Sequence, residues 1–287
     1  TVTGSQHLIE INGKRLLLEC GLYQGKRAEA FARHRNFKYD PRSVDAMILS
    51  HSHIDHCGNL PNLVKQGYNG PIYLTKPAAD LTDVMLRDAG HIQEADAEYL
   101  NKKRRARGEA LIEPLYTQKD AEQVSEYFVA KDYDETFEPT PGVKARFVEA
   151  GHILGSAAIS LELEEKGRKV RFWFSGDIGR FQLPLLRDPV LPEETDFLLM
   201  ESTYGDKPHR GPQLAYEEFR EVVKRTQERG GKIIIPAFAV GRTQELVYWL
   251  NMMMYEDGVP PLPVFVDSPL AVNASDVVKR NTDTFDE

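Results

Sequence analysis

Three histidines and an aspartate crowd into six positions at His51, His53, Asp55 and His56. Neutral imidazole nitrogens and a carboxylate are the ligands of zinc and similar borderline ions. The cluster follows Ala46-Met47-Ile48-Leu49, an apolar run that reads as a buried strand ending in a loop. Alternation along an extended segment sets His51 and His53 on one side, facing one ion. Asp55 and His56 then point elsewhere, toward a second. The competing expectation is a polar loop whose histidines cap a helix over 59–66, but buried neutral histidines have no reason to gather for that purpose.

Two further strand ends carry ligand-type residues. The run Lys144 to Val148 leads into Gly151-His152, where unhindered backbone lets an imidazole approach a metal; alone, such a histidine reads equally as a satisfied core residue. The run Val170 to Phe174 leads into Ser175-Gly176-Asp177-Ile178-Gly179. A carboxylate can share its oxygens between two cations, which a histidine cannot, so Asp177 is the expected bridge; its alternative is an Asx-turn residue. A strand at 196–200 ends in Glu201-Ser202-Thr203-Tyr204-Gly205-Asp206.

Taken together, His51-x-His53-x-Asp55-His56 resembles the metal motif of the metallo-β-lactamase superfamily of dinuclear metallohydrolases. The resemblance implies an α/β fold, the αββα sandwich, and two zinc ions. His51, His53 and His152 would bind the first ion, Asp55 and His56 the second, and Asp177 both. Glu19, in Glu19-Cys20-Gly21, stands where related proteins usually carry Asp-x-Gly and would orient the ligands from behind. The motif leaves the substrate open, since the superfamily includes lactamases, thioesterases, sulfatases and nucleases.

Glu201-Ser202-Thr203-Tyr204-Gly205 resembles the first additional motif of the β-CASP nucleases, a branch acting on RNA and DNA. It implies a zinc-dependent ribonuclease, similar to bacterial RNA-processing enzymes and the endonuclease subunit of the pre-mRNA cleavage machinery. A hydroxide held between two ions would attack the phosphodiester, with Asp55 and Glu201 in catalytic roles, Glu201 by assisting proton transfer. Single-stranded RNA is then the expected partner, and a homodimer is compatible with the resemblance. The alternatives are a DNA nuclease of the same branch and a small-ester or thioester hydrolase using the same ligands. A non-catalytic scaffold is disfavoured by six plausible ligands.

The elements that position these residues are legible as patterns. Asn12-Gly13 between two apolar runs signals a tight hairpin whose second strand ends at Glu19. His7, in the first strand, reads as structural. A long amphipathic helix is expected from Pro77 to about Gly108, and a shorter one from Lys119 to Phe128 behind Thr117-x-x-Asp120. The basic run at 102–107 reads as a solvated helix face. A hairpin turning at Lys166-Gly167 delivers Asp177. Residues 1–206 form the expected metallo-β-lactamase domain and 207–287 part of a Rossmann-like β-CASP domain. The latter rests on strands at 232–236 and 263–267, each followed by a helix, with Gly241, Arg242 and Ser268 as candidate phosphate-binding residues at the turns.

The 287 residues, 41% hydrophobic and 28% charged, describe a globular protein, and no apolar run approaches the roughly 20 residues that span a bilayer, so no membrane partner is expected. A net charge of −8 argues against a broadly basic nucleic-acid binder yet allows one cleft of concentrated positive charge. Only Cys20 and Cys57 occur, too few for a disulfide framework and suited to the cytoplasm; Cys57 is expected to pack rather than ligate. The related family returns to its first domain with further histidines, one of them a ligand of the second ion. None follows His209 here, and His209 is no convincing substitute, so the chain is expected to be a fragment, missing also a short N-terminal strand.

Overall fold

A computed structural model describes residues 4–208 and 211–285. His209 lies outside them. Two five-stranded sheets face each other. The first runs in the order β1 (His7–Ile11), β2 (Lys14–Leu18), β3 (Ala46–Ile48), β4 (Ile72–Thr75), β5 (Phe128–Lys131). After the β1–β2 hairpin every pairing in it is parallel. The second sheet is ordered β10 (Phe197–Leu199), β9 (Arg168–Phe174), β8 (Ala157–Glu165), β7 (Val143–Glu149), β6 (Thr136–Thr140), antiparallel except for the β9–β10 edge.

Alternation along β2 and β3 explains the layering. Leu16, Leu18, Ala46 and Ile48 pack between the sheets against Phe147, Ile159 and Phe174. Leu17 and Met47 face the other way, against a helical layer that includes Leu60, Leu63 and Leu86. That layer comprises α1 (Arg27–Arg35), α2 (Ile54–Cys57), α3 (Leu60–Lys65), the long α4 (Lys76–Ala106) and α5 (Gln118–Glu122). Thr117 and Asp120 cap α5 reciprocally. The expected helix 119–128 is shorter than its pattern: a 3-10 turn follows α5, and Phe128 opens the edge strand β5, whose partly exposed residues carry no alternation. On α4 the basic run is solvated, with Lys102 paired to Glu98 at 3.2 Å and Arg104 to Glu109 at 3.2 Å. Among the described residues no helix is long and apolar enough to cross a membrane.

Helices α6 (Pro212–Glu228), α7 (Arg242–Tyr255) and α8 (Pro269–Arg280) form as expected, and α8 packs on α4 through Leu81, Ala274 and Val277. The Rossmann-like sheet between them does not. Residues 232–236 and 263–267 are not strands, and Ile234 and Phe265 are 91% and 86% exposed. Parallel strands are stable only when paired and covered on both faces. Among the described residues, no strand pairs with either run.

Candidate metal centre

The ends of strands from both sheets converge on one place. The chain leaving β3 carries His51, His53, Asp55 and His56, the turn after β7 carries His152, and the loop after β9 carries Asp177. The 19–22 segment leaving β2 is zipped to the ligand loop: Cys20 donates its N–H to the His56 carbonyl at 2.7 Å and Leu22 to Ile54 at 2.9 Å. Gly21 is required there, because a Cβ would lie 1.6 Å from the Asp55 carbonyl oxygen. Gly179 likewise docks the Asp177 loop on the His152 turn, donating to the Ala150 carbonyl at 2.8 Å where a Cβ would meet the Gly151 carbonyl oxygen at 1.6 Å.

His51, His53, His152 and Asp177 each offer a ligand atom to one point. His53 Nδ1 lies 3.2 Å from His51 Nε2 and 3.1 Å from His152 Nε2, while Asp177 Oδ2 is 3.6 Å from His51 Nε2 and 3.5 Å from His152 Nε2. An ion with nitrogen and oxygen ligands about 2.0–2.2 Å away holds tetrahedral ligands about 3.4 Å apart. These residues therefore fit a divalent cation. On the far side, Asp177 Oδ1 is 3.2 Å from His56 Nε2, and Asp55 Oδ2 is 3.8 Å from that same nitrogen.

Glu19, fully buried, sets the tautomers of both halves. Its Oε1 accepts the Ser50 N–H at 2.7 Å and its Oε2 accepts the Ser50 hydroxyl at 2.9 Å. With its proton so directed, Ser50 Oγ accepts from His51 Nδ1 at 2.9 Å, leaving the Nε2 lone pair toward the centre. His56 Nδ1 donates to Glu19 Oε2, which turns its Nε2 toward Asp177. Glu19 also lies within ligand distance of His51 and His56. Its oxygens are engaged by these donors, an arrangement that suits an orienting group. At Glu19 the backbone turns left-handed, φ 66°.

Burial holds His51 well below the usual imidazole range and, with His152 beside it, His53 down at about 3. His152 is lowered by burial too. These three rings are neutral and ready to ligate at neutral pH. His56 moves the other way: burial opposes its charge, but hydrogen bonds to Asp177 and Glu19 outweigh it and raise the ring to about 10. Burial would raise Asp177, yet its contact with His56 keeps it ionised and below the usual carboxylate range. His56 thus carries its charge between two carboxylates, Glu19 at Nδ1 and Asp177 at Nε2, and a cation bound beside Asp177 would displace the Nε2 proton.

The centre opens into a cleft of about 410 Å³ whose lining includes His53, His152, Asp177, Arg180, Glu201, Gly241 and Arg242. Glu201 carries a structural task not expected from sequence: Oε1 accepts the Ile178 N–H at 2.8 Å and Oε2 the Thr203 N–H at 3.3 Å. Arg242 is paired with Glu245 at 2.8 Å. Ser268 caps α8, accepting from Ala271 N at 3.2 Å, and does not line the cleft. His7 bonds Ser5 and packs on the Phe174 ring, outside the ligand cluster. Sequence reasoning missed Ser50, for which a serine preceding the first ligand gives no signal by itself.

A family model described as the metallo-beta-lactamase superfamily matches residues 2–236. The chain is 36% identical over 288 residues to ribonuclease TTHA0252 of Thermus thermophilus, covering 100% of this chain and 60% of that protein. It is 33% identical over 257 residues to transcription termination factor FttA of Methanocaldococcus jannaschii, covering 88% and 38% of the two chains. With cleavage and polyadenylation specificity factor subunit 3-I of Arabidopsis thaliana it shares 28% over 270 residues, covering 92% and 36%. The chain spans about 60% or less of the length of these relatives. A solved structure of a protein of unknown function from Enterococcus faecalis V583 shares the fold, with a TM-score of 0.52, 15% identity, and coverage of 98% of this chain and 65% of that one. The motif His51-x-His53-x-Asp55-His56, the two-sheet sandwich that gathers its ligands and these matches make the chain a member of the metallo-β-lactamase superfamily, in its β-CASP branch.

Proposed function

We propose that this chain is the catalytic part of a zinc-dependent ribonuclease that hydrolyses phosphodiester bonds of single-stranded RNA. The observation that carries the dinuclear reading is the division of Asp177: Oδ2 faces His51 and His152 while Oδ1 faces His56. His51, His53, His152 and Asp177 would hold one zinc, and His56, Asp55 and Asp177 the other. Imidazole-rich donors with carboxylates suit zinc. Bound there, two such ions would supply Lewis acidity toward a phosphodiester oxygen and would acidify water at neutral pH.

The remaining work falls to the chain's own residues. Ser50 and Glu19 hold the Nδ1 sides of His51 and His56, so that their Nε2 atoms face the centre. Glu201 bonds the Ile178 N–H beside Asp177 and lines the same cleft, which supports a role for it in passing a proton to a leaving oxygen. The choice of RNA is supported by the Glu201-Ser202-Thr203-Tyr204-Gly205 segment on the cleft wall and by relatives named ribonuclease and cleavage factor. Two buried, unpaired cysteines fit a cytoplasmic setting.

The test is incubation of the full-length protein with labelled single-stranded RNA, the matched DNA and a panel of thioesters, beside elemental analysis of its metal. RNA cleavage with about two zinc ions per chain is expected. Thioester turnover without RNA cleavage would overturn it.

A further inference from the structure

Among the described residues two arginines line the cleft of the candidate metal centre, and they differ in what they touch. Arg242 is occupied by its ion pair with Glu245. Arg180, half-buried on the cleft wall, has no side-chain hydrogen bond or ion pair among the described residues. Arg187, further along the same loop, is also occupied, donating to the Asp283 and Phe285 carbonyls at 3.0 and 3.2 Å. Glu201, in the same cleft, has both oxygens taken by backbone N–H groups. An arginine left unpartnered inside a cleft of a chain with net charge −8 is an uncompensated cation awaiting an anion.

Its placement is built, not incidental. The loop from Asp177 to Arg180 is pinned by the Ile178 bond to Glu201 and by the Gly179 bond to Ala150, with no room for a side chain at Gly179. Arg180 follows Asp177 by three residues, so at most about 10 Å of backbone separates it from the bridging ligand. Its guanidinium makes no ion pair with Asp177 or any other candidate ligand among the described residues, which leaves it free to meet a phosphate beside the one at the centre. The planar fork of an arginine matches the two unesterified oxygens of a phosphodiester.

Resting on the ribonuclease reading above, we propose that Arg180 is a positioning residue that clamps a phosphate neighbouring the scissile one, and so selects polymeric over small substrates. The test compares wild type, Arg180→Ala and Arg180→Lys in the metal-loaded full-length protein on a labelled RNA oligonucleotide and on bis(p-nitrophenyl) phosphate, a diester with no neighbouring phosphate. For Arg180→Ala, kcat/KM on the oligonucleotide should fall about 10- to 100-fold, mostly in KM, the scale of a lost charge-assisted contact. Turnover of the small diester should not change. The slope of log affinity for RNA against log salt, read by fluorescence anisotropy, should become shallower by about 0.7, one phosphate contact on a single strand. Arg180→Lys keeps the charge, so it should restore the slope and recover only part of the affinity; it also keeps the test informative if the alanine variant folds poorly. An equal fall on both substrates, or no fall on either, overturns the assignment. A wild type that turns over thioesters but neither diester would overturn the ribonuclease reading instead.

Discussion

His56 Nδ1 donates its proton to Oε2 of Glu19, a carboxylate with no solvent exposure whose same oxygen also accepts the Ser50 hydroxyl. One buried acid therefore presets an imidazole in each half of the metal centre. Glu19→Ala should weaken zinc binding about 10- to 100-fold, the usual effect of removing such a support. It should also destabilise the fold by about 1–3 kcal/mol for each buried donor left unmet. Competition with a chromophoric chelator measures the first and urea unfolding the second; unchanged zinc affinity would remove Glu19 from the orienting role.

Asp177 divides its oxygens between two groups of histidines. Asp177→Ala should lower zinc content at both sites, not one, and abolish RNA cleavage. Elemental analysis after gel filtration decides this, and a variant that keeps two zinc ions would show that Asp177 does not bridge.

Glu201→Gln is a sharper probe than its size suggests. Glutamine has one acceptor oxygen where the Ile178 and Thr203 N–H groups need two, so one bond is lost together with the charge. Single-turnover cleavage of RNA should fall roughly 10²- to 10⁴-fold, as for lost acid–base catalysis. The first-site zinc should remain, since none of its ligands is touched. Unchanged cleavage at full metal occupancy would leave Glu201 as a loop clamp alone.

Glu149 gives a pH signature separate from the metal. Burial raises it from 4.5 to about 7 despite the Gly151 N–H that it accepts at 2.8 Å. With the folded value above the unfolded one, its contribution is fully present below pH 4.5 and is lost as pH rises through 7. Glu149→Gln should therefore match wild type near pH 4.5 and gain relative stability up to pH 7, levelling at on the order of 3 kcal/mol. Urea unfolding of both proteins across pH 5–8 reads that difference, and a pH-independent gap would refute it.

Gly21→Ala should damage the site without touching a ligand, because the added methyl overlaps the Asp55 carbonyl. At least about 1–3 kcal/mol of stability should be lost, with weaker zinc retention, by thermal unfolding and metal analysis.

Much of this was written in the sequence. The candidate ligands sit at strand ends, where an apolar run gives way to glycine, histidine or aspartate, and such breaks are local and visible at His51, His152 and Asp177. Glu19 was visible for the same reason. What escaped depends on distant partners. Strand β5 is an edge whose pairing with β4 no local pattern announces, and the runs at 232–236 and 263–267 have strand composition without a paired neighbour among the described residues. Whether Arg242 faces a substrate or Glu245, and whether Glu201 has backbone donors to satisfy, are questions of tertiary contact that spacing cannot answer.

The origin of the ligands has a mechanical meaning. His51, His53 and His56 hang from one sheet, and His152 and Asp177 from the other, with mainly apolar packing between them. Ions gripped from both sides would act as a cross-link through the sandwich, much as a disulfide staples two segments, and would add to stability in proportion to the logarithm of free metal over its dissociation constant. Stripping the metal should loosen the two halves against each other before either sheet frays, so amide exchange should quicken first along the facing residues of β3 and β9.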